Sequence, residues 1–597
     1  MTDTTITPSG TASTVAMLPR SAAERFGART AARHLVDGEW RELTYADAVR
    51  AIEEIALGLA ALGIEPGDRV GILSDTRLEW TLSSYAISAA GAIVVPIYPT
   101  SSAPECEWVL GDSGARAVVC ENEGQADKVR SVLERLPSLE HIVTIDPAAA
   151  RQPTLDRLRG SGEGGDHALL AQRRAGVSPD DVYTIIYTSG TTGPPKGVVL
   201  THRNAISVCQ MVQKLRFISP QETTYLFLPL AHAYALTAQL ASYEIGTSIV
   251  YWGRDANQII PELIATRPTY LPAVPRIFEK LYTAAMKMTE QFDDEQRARF
   301  EQAVRLGVEV RRRRERGQDV TPEMEHAFEQ AQDTLYGRVS GLFGGRIVQA
   351  VTGAAPIAPE ILEFFYACGV PVLEGWGMTE TTAVATVNTR DALRFGTVGR
   401  ALPGVELAIA GDGEVLVRGP NVFREYWRNP QATAEALVDG WLHTGDLGSI
   451  DEDGFLSITG RKKDIIITAG GKNLTPANIE NDLKQTRFVS QVVMHGDRRP
   501  YPVALVTLDA DEILPWARER GLPEDLGQLS RNPEVIALVQ AEIDRANTRY
   551  AQVGRIKRFA ILDRDLTIEH GELTPTLKVK RSVISERYAE LLDSLYD

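Results

Sequence analysis

The chain of 597 residues has few cysteines, no excess of basic charge and no long apolar run. Its four cysteines have neither the spacing of metal ligands nor that of a disulfide framework. Such cysteines are typical of a reducing compartment, so we expect a cytoplasmic protein. The formal net charge of -16 argues against nucleic acid as a partner, because neutralising phosphates requires a basic surface.

The sequence also lacks a segment that predicts a transmembrane helix. Its most apolar stretch, residues 82–98, is rich in alanine, serine and glycine and contains Pro96, which favours a buried helix followed by a strand. The polar start of the chain does not resemble a signal peptide, so we predict a disordered tail over residues 1–15. Peripheral membrane contact stays open through the arginine run 311–314, although its acidic neighbours favour a solvated helical hairpin.

The most distinctive motif present is YTSGTTGPPKG, at residues 187–197. Its glycines, among them Gly197, allow positive φ and close backbone approach, so several N–H groups can point at one anion. Its hydroxyl groups add neutral donors and its lysine adds a positive charge. The motif therefore predicts a loop that holds a polyphosphate, with a flexible surface linker as the alternative. The candidate residues are Thr188, Ser189, Gly190, Thr191, Thr192, Gly193 and Lys196.

This loop does not have the spacing of a Walker loop. That motif places glycine directly before the lysine and serine or threonine directly after it. Here Pro195 and Gly197 occupy those two positions. The spacing therefore disfavours a P-loop kinase.

The length of the chain indicates at least two domains. Short apolar segments alternate with helical patterns, which predicts an α/β fold with a large N-terminal domain of mixed and parallel sheets covered by helices. We place this domain at residues 16–462, with a charged helical insertion at about residues 279–341. A change in composition near Lys463 marks a small, mobile C-terminal α+β domain at residues 463–597.

Six motifs occur in an order that is typical of one enzyme family. They are YTSGTTGPPKG, TGAAP at residues 352–356, GWGMTE at 375–380, HTGD at 443–446, GRKKD at 460–464 and TPTLK at 574–578. With these motifs nearly the whole chain resembles the AMP-forming acyl-CoA synthetases, which are acyl-adenylate-forming enzymes. Within that family it resembles the bacterial long-chain fatty acid-CoA ligases, through LPLAHAYA, TYLPAVPRIFEKLY, the helical insertion and TPTLKVKR.

The resemblance implies a ligase that works in two steps. Such an enzyme first joins a fatty acid to ATP in the presence of Mg²⁺, giving acyl-AMP and pyrophosphate. It then transfers the acyl group to coenzyme A and releases AMP. No covalent enzyme nucleophile is needed, because catalysis consists mainly of positioning and of charge stabilisation around the phosphorus. A homodimer is a further expectation.

The resemblance also assigns roles to individual residues. Lys578 is the expected catalytic lysine, which bridges the carboxylate and the α-phosphate during adenylation. Glu380 is expected to hold Mg²⁺, and Thr379 is expected to donate to the α-phosphate. The family commonly has glycine before this lysine, whereas this chain has Leu577, so Lys580 stays open as a rival.

The nucleoside part of ATP has its own expected residues. By resemblance, small residues and an aromatic face surround the adenine, and a carboxylate beside an arginine binds the ribose hydroxyls. Many relatives have tyrosine at the position of the aromatic face, where this chain has Trp376. The residues expected to bind AMP are Gly353, Ala354, Ala355, Trp376, Gly377, Asp446 and Arg461.

Four further positions concern the second step and the acyl chain. Lys463 is the expected hinge about which the small domain turns. Gly470 and Gly471 are expected to line the channel for the pantetheine of coenzyme A, with a plain hairpin turn as the alternative. His232 is expected at the carboxylate end of the acyl pocket, with a core histidine as the alternative.

Three other functions stay open from the sequence alone. A fatty acyl-AMP ligase would deliver its product to a carrier protein, and a CoA ligase for medium-chain or aryl acids would differ in its acyl pocket. A non-catalytic nucleotide sensor is disfavoured because Lys196, Glu380, Asp446 and Lys578 are all present. Turnover that depends on coenzyme A distinguishes the CoA ligases from the fatty acyl-AMP ligase.

Overall fold

The computed structural model describes residues 12–146, 153–188, 194–216, 218–287, 289, 292–469, 472–574 and 578–597. The strands are β1 Thr30–Val36, β2 Glu39–Thr44, β3 Arg69–Leu73, β4 Ile93–Ile97, β5 Ala117–Cys120, β6 His141–Thr144, β7 Val182–Thr188, β8 Lys196–Thr201, β9 Thr223–Leu226, β10 Ser248–Tyr251, β11 Tyr270–Ala273, β12 Gln349–Thr352, β13 Val372–Trp376, β14 Thr386–Val387, β15 Arg400–Ala401, β16 Glu406–Ile409, β17 Glu414–Arg418, β18 Glu425–Tyr426, β19 Leu437–Val438, β20 Trp441–Ile450, β21 Leu456–Arg461, β22 Ile466–Ile467, β23 Asn473–Leu474, β24 Val489–His495, β25 Val503–Leu508 and β26 Arg558–Ile561.

Helices alternate with these strands along the chain. They are α1 Leu18–Phe26, α2 Tyr45–Ala61, α3 Leu78–Ala89, α4 Ala103–Ser113, α5 Glu123–Arg130, α6 Leu155–Gly162, α7 His167–Gly176, α8 His202–Leu215, α9 Ala233–Ile245, α10 Ile259–Thr266, α11 Pro275–Lys287, α12 Asp294–Glu315, α13 Pro322–Ala331, α14 Gly337–Gly341, α15 Pro359–Ala367, α16 Pro430–Ala436, α17 Pro476–Lys484, α18 Ala510–Glu519, α19 Leu526–Leu529, α20 Pro533–Asn547, α21 Arg581–Arg587 and α22 Ala589–Ser594. We call α1 to β21 the N-terminal unit and the elements from β22 onward the C-terminal unit.

Two large sheets form most of the N-terminal unit. In the first the strand order is β15-β14-β13-β12-β11-β9-β10-β1-β2, and in the second it is β18-β8-β7-β4-β3-β5-β6. The central strands pair in parallel, whereas β2, β14, β15, β8 and β18 pair antiparallel towards the edges. Parallel strands need helices on both faces to bury them. The prediction of mixed and parallel sheets covered by helices is therefore confirmed.

The main core joins the two sheets through the helices. One cluster of buried side chains extends from Val70 of β3 to Leu226 of β9 and includes residues of α3 and α9. Every residue of α3 except Glu79 is buried. Together, α3 and β4 account for the apolar stretch 82–98, which is a buried helix and strand as predicted. Among the described residues, no helix combines the length and the apolarity that crossing a bilayer requires.

The start of the described chain is packed, which corrects the predicted tail. The exposed fractions of Ala12, Thr14 and Val15 are 5%, 1% and 0%. The N–H of Val15 donates to Nδ1 of the buried His202 at 3.2 Å, because a buried amide needs a partner. Residues 12–15 were therefore wrongly included in the disordered tail, and residues 1–11 lie outside the described residues.

The charged insertion contains a helical hairpin formed by α12 and α13. The four arginines at the end of α12 each contact another part of the protein, so they do not form a continuous basic patch of unpaired side chains. Burial of the aliphatic stem with pairing of the head group is typical of such side chains. This arrangement supports the solvated hairpin over a membrane surface. The partners are the Ala367 carbonyl for Arg311, the Phe395 ring for Arg312, Glu309 for Arg313 and Glu325 for Arg314.

The C-terminal unit has a core of its own. Strand β25 pairs antiparallel with β24 and parallel with β26, and α17 and α20 pack against this sheet. Among the described residues, two ion pairs connect the unit to α11: Arg276 with Asp509 at 2.5 Å, and Lys280 with Asp511 at 3.4 Å. These contacts lie at the border between the C-terminal unit and the N-terminal unit.

Candidate active site

A cavity of about 630 Å³ lies between the ends of β7, β12 and β13 and the C-terminal unit. The carboxyl edge of parallel strands is where open α/β sheets bind ligands. The cavity has the size of an ordinary ligand pocket. The predicted site residues in its lining are Thr188, Lys196, His232, Gly353, Ala354, Gly377, Thr379, Glu380, Arg461, Lys463 and Lys578.

The first predicted motif connects the antiparallel strands β7 and β8. Thr188 and Lys196 are opposite each other in the register, and both line the cavity. Gly197 does not adopt the positive φ that glycine allows. A Cβ at that position would lie 2.8 Å from Cγ2 of Ile185, so glycine is needed there for packing. The other predicted phosphate-loop residues, which lie outside the described residues, are Ser189, Gly190, Thr191, Thr192 and Gly193.

The segment GWGMTE leads from β13 into a short turn that presents two polar side chains. Gly377 permits a close approach, because a Cβ there would lie 2.3 Å from the carbonyl oxygen of Ala383. Thr382 and Ala383 have φ values of 51° and 78°, which are costly for residues other than glycine. The surroundings therefore hold the turn in shape. It places Thr379 and Glu380, both buried, in the lining of the cavity.

Strand register brings the predicted ribose carboxylate to its arginine. Asp446 is opposite Arg461 in the antiparallel pair β20–β21, and Oδ1 of Asp446 lies 2.8 Å from Nε of Arg461. The indole N–H of Trp376 donates to Oδ2 of Asp446 at 2.9 Å. Because Asp446 is only 5% exposed, these two contacts fix both oxygens of its carboxylate.

Three predicted residues are not in the cavity lining, as far as the described part of the chain shows: Ala355, Trp376 and Asp446. Trp376 is half-buried, and its indole N–H is bonded to the carboxylate of Asp446. The predicted adenine platform and the predicted ribose carboxylate thus form one bonded pair. Their neighbours Gly377 and Arg461 do line the cavity.

Tyr426 is a lining residue that the sequence analysis missed. Its hydroxyl donates to Oε1 of Glu380 at 2.7 Å, and Nζ of Lys196 lies 5.0 Å from the centroid of its ring. It stands on β18, which pairs with β8 and so with the strand that begins at Lys196. Pairing between segments so far apart in the chain leaves no signal in a single sequence.

A second group that the sequence analysis missed surrounds Glu414, at the start of β17. Its carboxylate lies 3.1 Å from Nδ1 of His443, accepts the N–H of Gly445 at 2.8 Å and pairs with Lys462 at 3.2 Å. Burial opposes the charge, but these hydrogen bonds hold the pKa of Glu414 below its usual value. The group connects the HTGD segment to the residue that precedes the predicted hinge.

His232 lies at the start of α9, where its Nδ1 accepts the N–H of Tyr234 at 3.1 Å. Burial, and secondly the positive charge of Lys578, lower the pKa of His232 to about 4. The imidazole is therefore neutral near pH 7 and carries its proton on Nε2. Its place in the cavity lining favours the pocket position over that of a core histidine.

Lys578 enters the cavity from the C-terminal unit. Leu573 and Val579 form an antiparallel bridge, and the N–H of Lys578 donates to Oγ1 of Thr574 at 3.0 Å. The residues between Thr574 and Lys578 lie outside the described ones. The rival Lys580 is not in the cavity lining that the described residues form, which favours Lys578.

The charges around Lys578 act in opposite directions. Desolvation by the surrounding protein, and secondly the charge of Arg461, lower the pKa of Lys578, while Asp446 and Glu380 oppose this shift. Its side chain opens into the cavity. Among the residues that the structure describes, no hydrogen bond or ion pair holds its ammonium group. The cavity therefore contains a positive charge that is available to a ligand.

The predicted hinge lies at the border of the two units. Lys463 lines the cavity and stands in a short 3-10 turn between β21 and β22. Gly470 and Gly471 fall outside the described residues. The strands on either side of them, β22 and β23, pair antiparallel.

Glu380 is the residue best suited to a divalent cation. Within the described ranges, no cluster of three or more His, Cys, Asp or Glu residues could hold a metal ion. Mg²⁺ does not need such a cluster, since it keeps several waters and is commonly bound by one or two carboxylates and substrate phosphates. Oε1 of Glu380 accepts from Tyr426, so Oε2 remains for such a contact.

Comparison with known proteins agrees with this site. A family model described as AMP-binding enzyme matches residues 20–427, and another described as AMP-binding enzyme C-terminal domain matches residues 463–597. The long-chain-fatty-acid–CoA ligase FadD15 of Mycobacterium bovis is 39% identical over 570 residues, which cover 95% of this chain and 94% of that protein. The peroxisomal long chain acyl-CoA synthetase 7 of Arabidopsis thaliana is 32% identical, with coverage of 94% and 82%.

A solved structure shows the same fold. The anthranilate CoA ligase AuaEII, in complex with anthranoyl-AMP, aligns with a TM-score of 0.72 over 98% of each chain. Its sequence identity is 20%, so this likeness concerns the fold alone. Two matching family models, extended identity to named ligases and this fold lead to one conclusion. The chain belongs to the AMP-binding enzyme family, among its AMP-forming acyl-CoA synthetases.

Proposed function

We propose that the protein is a long-chain fatty acid-CoA ligase that works through acyl-AMP. The observation that carries the proposal is the meeting of Lys578, from the C-terminal unit, with Glu380 and Arg461 of the N-terminal unit at one cavity. A free cation opposite a carboxylate suited to Mg²⁺ is what joining two anions requires. The names of the relatives, FadD15 among them, supply the class of acid.

ATP would lie along the lining that the N-terminal unit provides. Lys196 and the phosphate loop would hold the β- and γ-phosphates, and Glu380 would hold Mg²⁺, which supplies neutralising charge on the phosphates. Thr379 would donate to the α-phosphate. The Asp446 carboxylate has lone pairs beyond those used by Trp376 and Arg461, so it can also accept the ribose hydroxyls.

Lys578 would stabilise the charge that develops in the first step. A carboxylate oxygen of the fatty acid attacks the α-phosphorus, the bond to the β-phosphate oxygen breaks, and pyrophosphate leaves. The ammonium group bridges the two reacting anions at the moment when their repulsion is greatest. A preorganised charge aimed at the position where negative charge develops is worth more than the same charge in water.

The acyl chain would occupy the apolar part of the cavity. His232 would pack at its carboxylate end, and its low pKa removes it from proton transfer to the acid near pH 7. A hydrogen bond from the Tyr234 hydroxyl to the Val351 carbonyl, at 2.9 Å, fixes two parts of this wall. The apolar lining residues are Tyr98, Ile186, Tyr234, Val351, Met378, Ala383, Val384, Val387, Ala432 and Ala436.

The second step would need a different orientation of the C-terminal domain. We propose that residues 463–597 turn as a body against residues 16–462, about Lys463, and bring Gly470 and Gly471 to the cavity as a channel for pantetheine. The thiolate of coenzyme A then attacks the acyl carbonyl and AMP leaves. A few residues at the end of an element are sufficient for such a hinge.

We retain three further expectations as proposals: a homodimer, a cytoplasmic location and peripheral contact with a membrane. Light scattering during gel filtration measures the mass of the assembly in solution. Flotation with phospholipid vesicles measures the contact with a membrane.

A panel of acids tests the proposed function. Acetate, medium-chain, long-chain and aryl acids are each incubated with ATP and Mg²⁺, with and without coenzyme A, and products are identified by mass. We expect acyl-CoA from long-chain acids and only with coenzyme A. Acyl-CoA from short or aryl acids alone would contradict the assigned acid, and acyl-AMP that is never passed to coenzyme A would indicate a fatty acyl-AMP ligase.

A further inference from the structure

Two opposite charges in the lining of the cavity are separated by one aromatic ring. The carboxylate of Glu380 and the ammonium of Lys196 both face the cavity, and both contact Tyr426. Opposite charges attract each other more strongly where protein, rather than water, surrounds them. Within the described residues, however, the two side chains form no ion pair with each other.

The geometry of Tyr426 explains this separation. Its hydroxyl occupies Oε1 of Glu380 at 2.7 Å, while its ring gives the Lys196 ammonium a contact at 5.0 Å from the centroid. A cation near an aromatic face is stabilised without forming an ion pair with a carboxylate. A hydrogen bond from a neutral hydroxyl likewise engages the carboxylate without pairing it with a cation. Both groups therefore stay available to a ligand.

The segment around Tyr426 is itself held in place. The N–H of Phe423 donates to the backbone carbonyl of Glu380 at 2.8 Å, and the rings of Phe423 and Tyr426 meet edge to face at 4.8 Å. The N–H of Tyr426 donates to Oγ1 of Thr433 at 2.9 Å. Tyr426 is 9% exposed, so its ring has little room to turn away.

The hydrogen bond from the Tyr426 hydroxyl fixes the orientation of the Glu380 carboxylate. Oε1 accepts this bond at 2.7 Å, so it is committed to Tyr426.

We propose that Tyr426 is a positioning residue that turns Oε2 of Glu380 towards Mg²⁺ and keeps Lys196 from pairing with that carboxylate. The inference rests on the proposed function, because it takes Glu380 as the metal-binding residue. Partners that orient a metal-binding carboxylate commonly change metal affinity 10- to 100-fold when they are removed. Without the hydroxyl, Glu380 is free to turn towards Lys196, and both would then be lost to the Mg²⁺ complex of ATP.

The test compares Tyr426→Phe with a matched control. Phe keeps the ring and the backbone contacts of the segment, so it removes one hydrogen bond only. Tyr225 donates to Oε2 of Glu262 at the same distance of 2.7 Å, in a buried site that does not line the cavity. Tyr225→Phe therefore removes the same kind of bond elsewhere, and thermal melting shows whether both variants remain folded.

The readout is the Mg²⁺ dependence of ATP binding, measured by calorimetry without any acid. We expect Tyr426→Phe to raise the Mg²⁺ concentration for half-maximal binding by about 10-fold, and Tyr225→Phe to leave it unchanged. ATP binding in the absence of Mg²⁺ should change much less. An unchanged Mg²⁺ dependence in a folded Tyr426→Phe protein would overturn the inference.

A double-mutant cycle distinguishes an action through Glu380 from a general loss of packing. In the Glu380→Gln background, Tyr426→Phe should add little to the loss of Mg²⁺-dependent binding, because the carboxylate charge is already absent. Two independent losses that simply add would contradict the proposal. If the wild-type protein activates no acid but Tyr426→Phe still weakens Mg²⁺-dependent ATP binding, the proposed function fails while the role of Tyr426 stands.

Discussion

Several side chains of the N-terminal unit in or beside the cavity lining are bonded to one another, whereas the ammonium of the lysine that the C-terminal unit contributes is not. Asp446 is fixed by Trp376 and Arg461, and Glu380 is fixed by Tyr426. Lys578 is held through its backbone, and among the described residues its ammonium has no partner. The bonded side chains of the N-terminal unit are therefore preorganised, whereas the C-terminal unit presents the ammonium group of Lys578.

The contacts between the two units show the same contrast. Each unit has apolar core clusters of its own, but α11 is joined to the C-terminal unit through the ion pairs of Arg276 and Lys280. Partly exposed ion pairs are worth little compared with a buried apolar core. The proposed two-step reaction would need this difference, because the nucleotide site would have to persist while Lys578 is withdrawn.

The largest expected effect comes from removing the unbonded charge. Lys578→Ala should lower the rate of adenylation by about 10² to 10³, which is the usual cost of losing one preorganised donor to a transition state. Because no described residue depends on that ammonium, the melting temperature should not change. Pyrophosphate release in a single turnover measures the rate. A rate close to that of the wild type would contradict the role of Lys578.

A smaller effect is expected from removing one of the bonds that fix the Asp446 carboxylate in the N-terminal unit. Asp446→Asn keeps an acceptor for Trp376 but loses the ion pair with Arg461 at 2.8 Å. A hydrogen bond to a charged group is worth about 2 kcal/mol, so the KM for ATP should rise by about 10- to 100-fold. Initial rates at varied ATP measure it.

The matched control for Asp446→Asn is Asp451→Asn, which breaks a more exposed pair with Arg394 near the same strand. It should leave the KM for ATP unchanged. Equal effects of the two variants would mean that the Asp446 carboxylate acts through stability and not through the nucleotide.

The hinge decides whether the two units need to move. Lys463→Pro restricts φ at the border between them. The structure already has Lys578 in the cavity, so adenylation should be spared, while transfer to coenzyme A should fall by about 10-fold or more. Rapid quenching separates the two steps, and an equal loss in both would count against a hinge at this residue.

The interface gives a smaller effect. Arg276→Ala removes the ion pair with Asp509, in which the arginine side chain is 35% exposed. Such a pair contributes at most about 1 kcal/mol, so adenylation should slow by about 5-fold or less, and less still at high salt. Arg203→Ala, which breaks the exposed pair with Asp180 inside the N-terminal unit, should have no effect on the rate. An unchanged rate in both variants would mean that the pair of Arg276 and Asp509 does not help to position the C-terminal unit for adenylation.

The pH dependence of adenylation tests the role of the Lys578 charge without a large change in the structure. Burial lowers the pKa of Lys578 from its usual 10.5, so the charged form is lost as the pH rises through that lowered value. We expect kcat/KM for adenylation to fall on the alkaline side below pH 10.5. Lys578→Arg should move this fall to higher pH, because arginine stays charged. A profile that is the same in both proteins would assign the titration to another group.

Much of the fold was predicted from the sequence because its signals are local. The apolar, β-branched run at residues 182–188 forms β7, and Thr201 caps α8 through a capping box with Asn204, so both signals lie within a few residues of one another in the chain. The α/β class follows from apolar segments that alternate with helical patterns, and the two units follow from the chain length and the change in composition near Lys463. The predicted tail was too long, because the packing of Val15 against His202 joins segments far apart in the chain.

The sequence predicted many residues of the candidate site but not the hydrogen bonds and ion pairs between them. Each of the six motifs contributes residues to the lining of the cavity, yet nothing in the sequence indicated that the Trp376 indole bonds to Asp446. Tyr426 and Glu414 were missed for the same reason, because strand pairing sets their neighbours. A single sequence carries the chemistry of each residue and little about register between distant strands.

The most direct test of the account is the second step measured alone in Lys578→Ala. Acyl-AMP of a long-chain acid is supplied together with coenzyme A, and acyl-CoA is followed by mass in a single turnover. We expect the wild-type rate, because the proposed role of Lys578 is limited to adenylation and the nucleotide-binding side chains of the N-terminal unit stay intact. A loss of the same size as the loss in adenylation would contradict the proposal that the nucleotide site of the N-terminal unit serves both steps and Lys578 serves only the first.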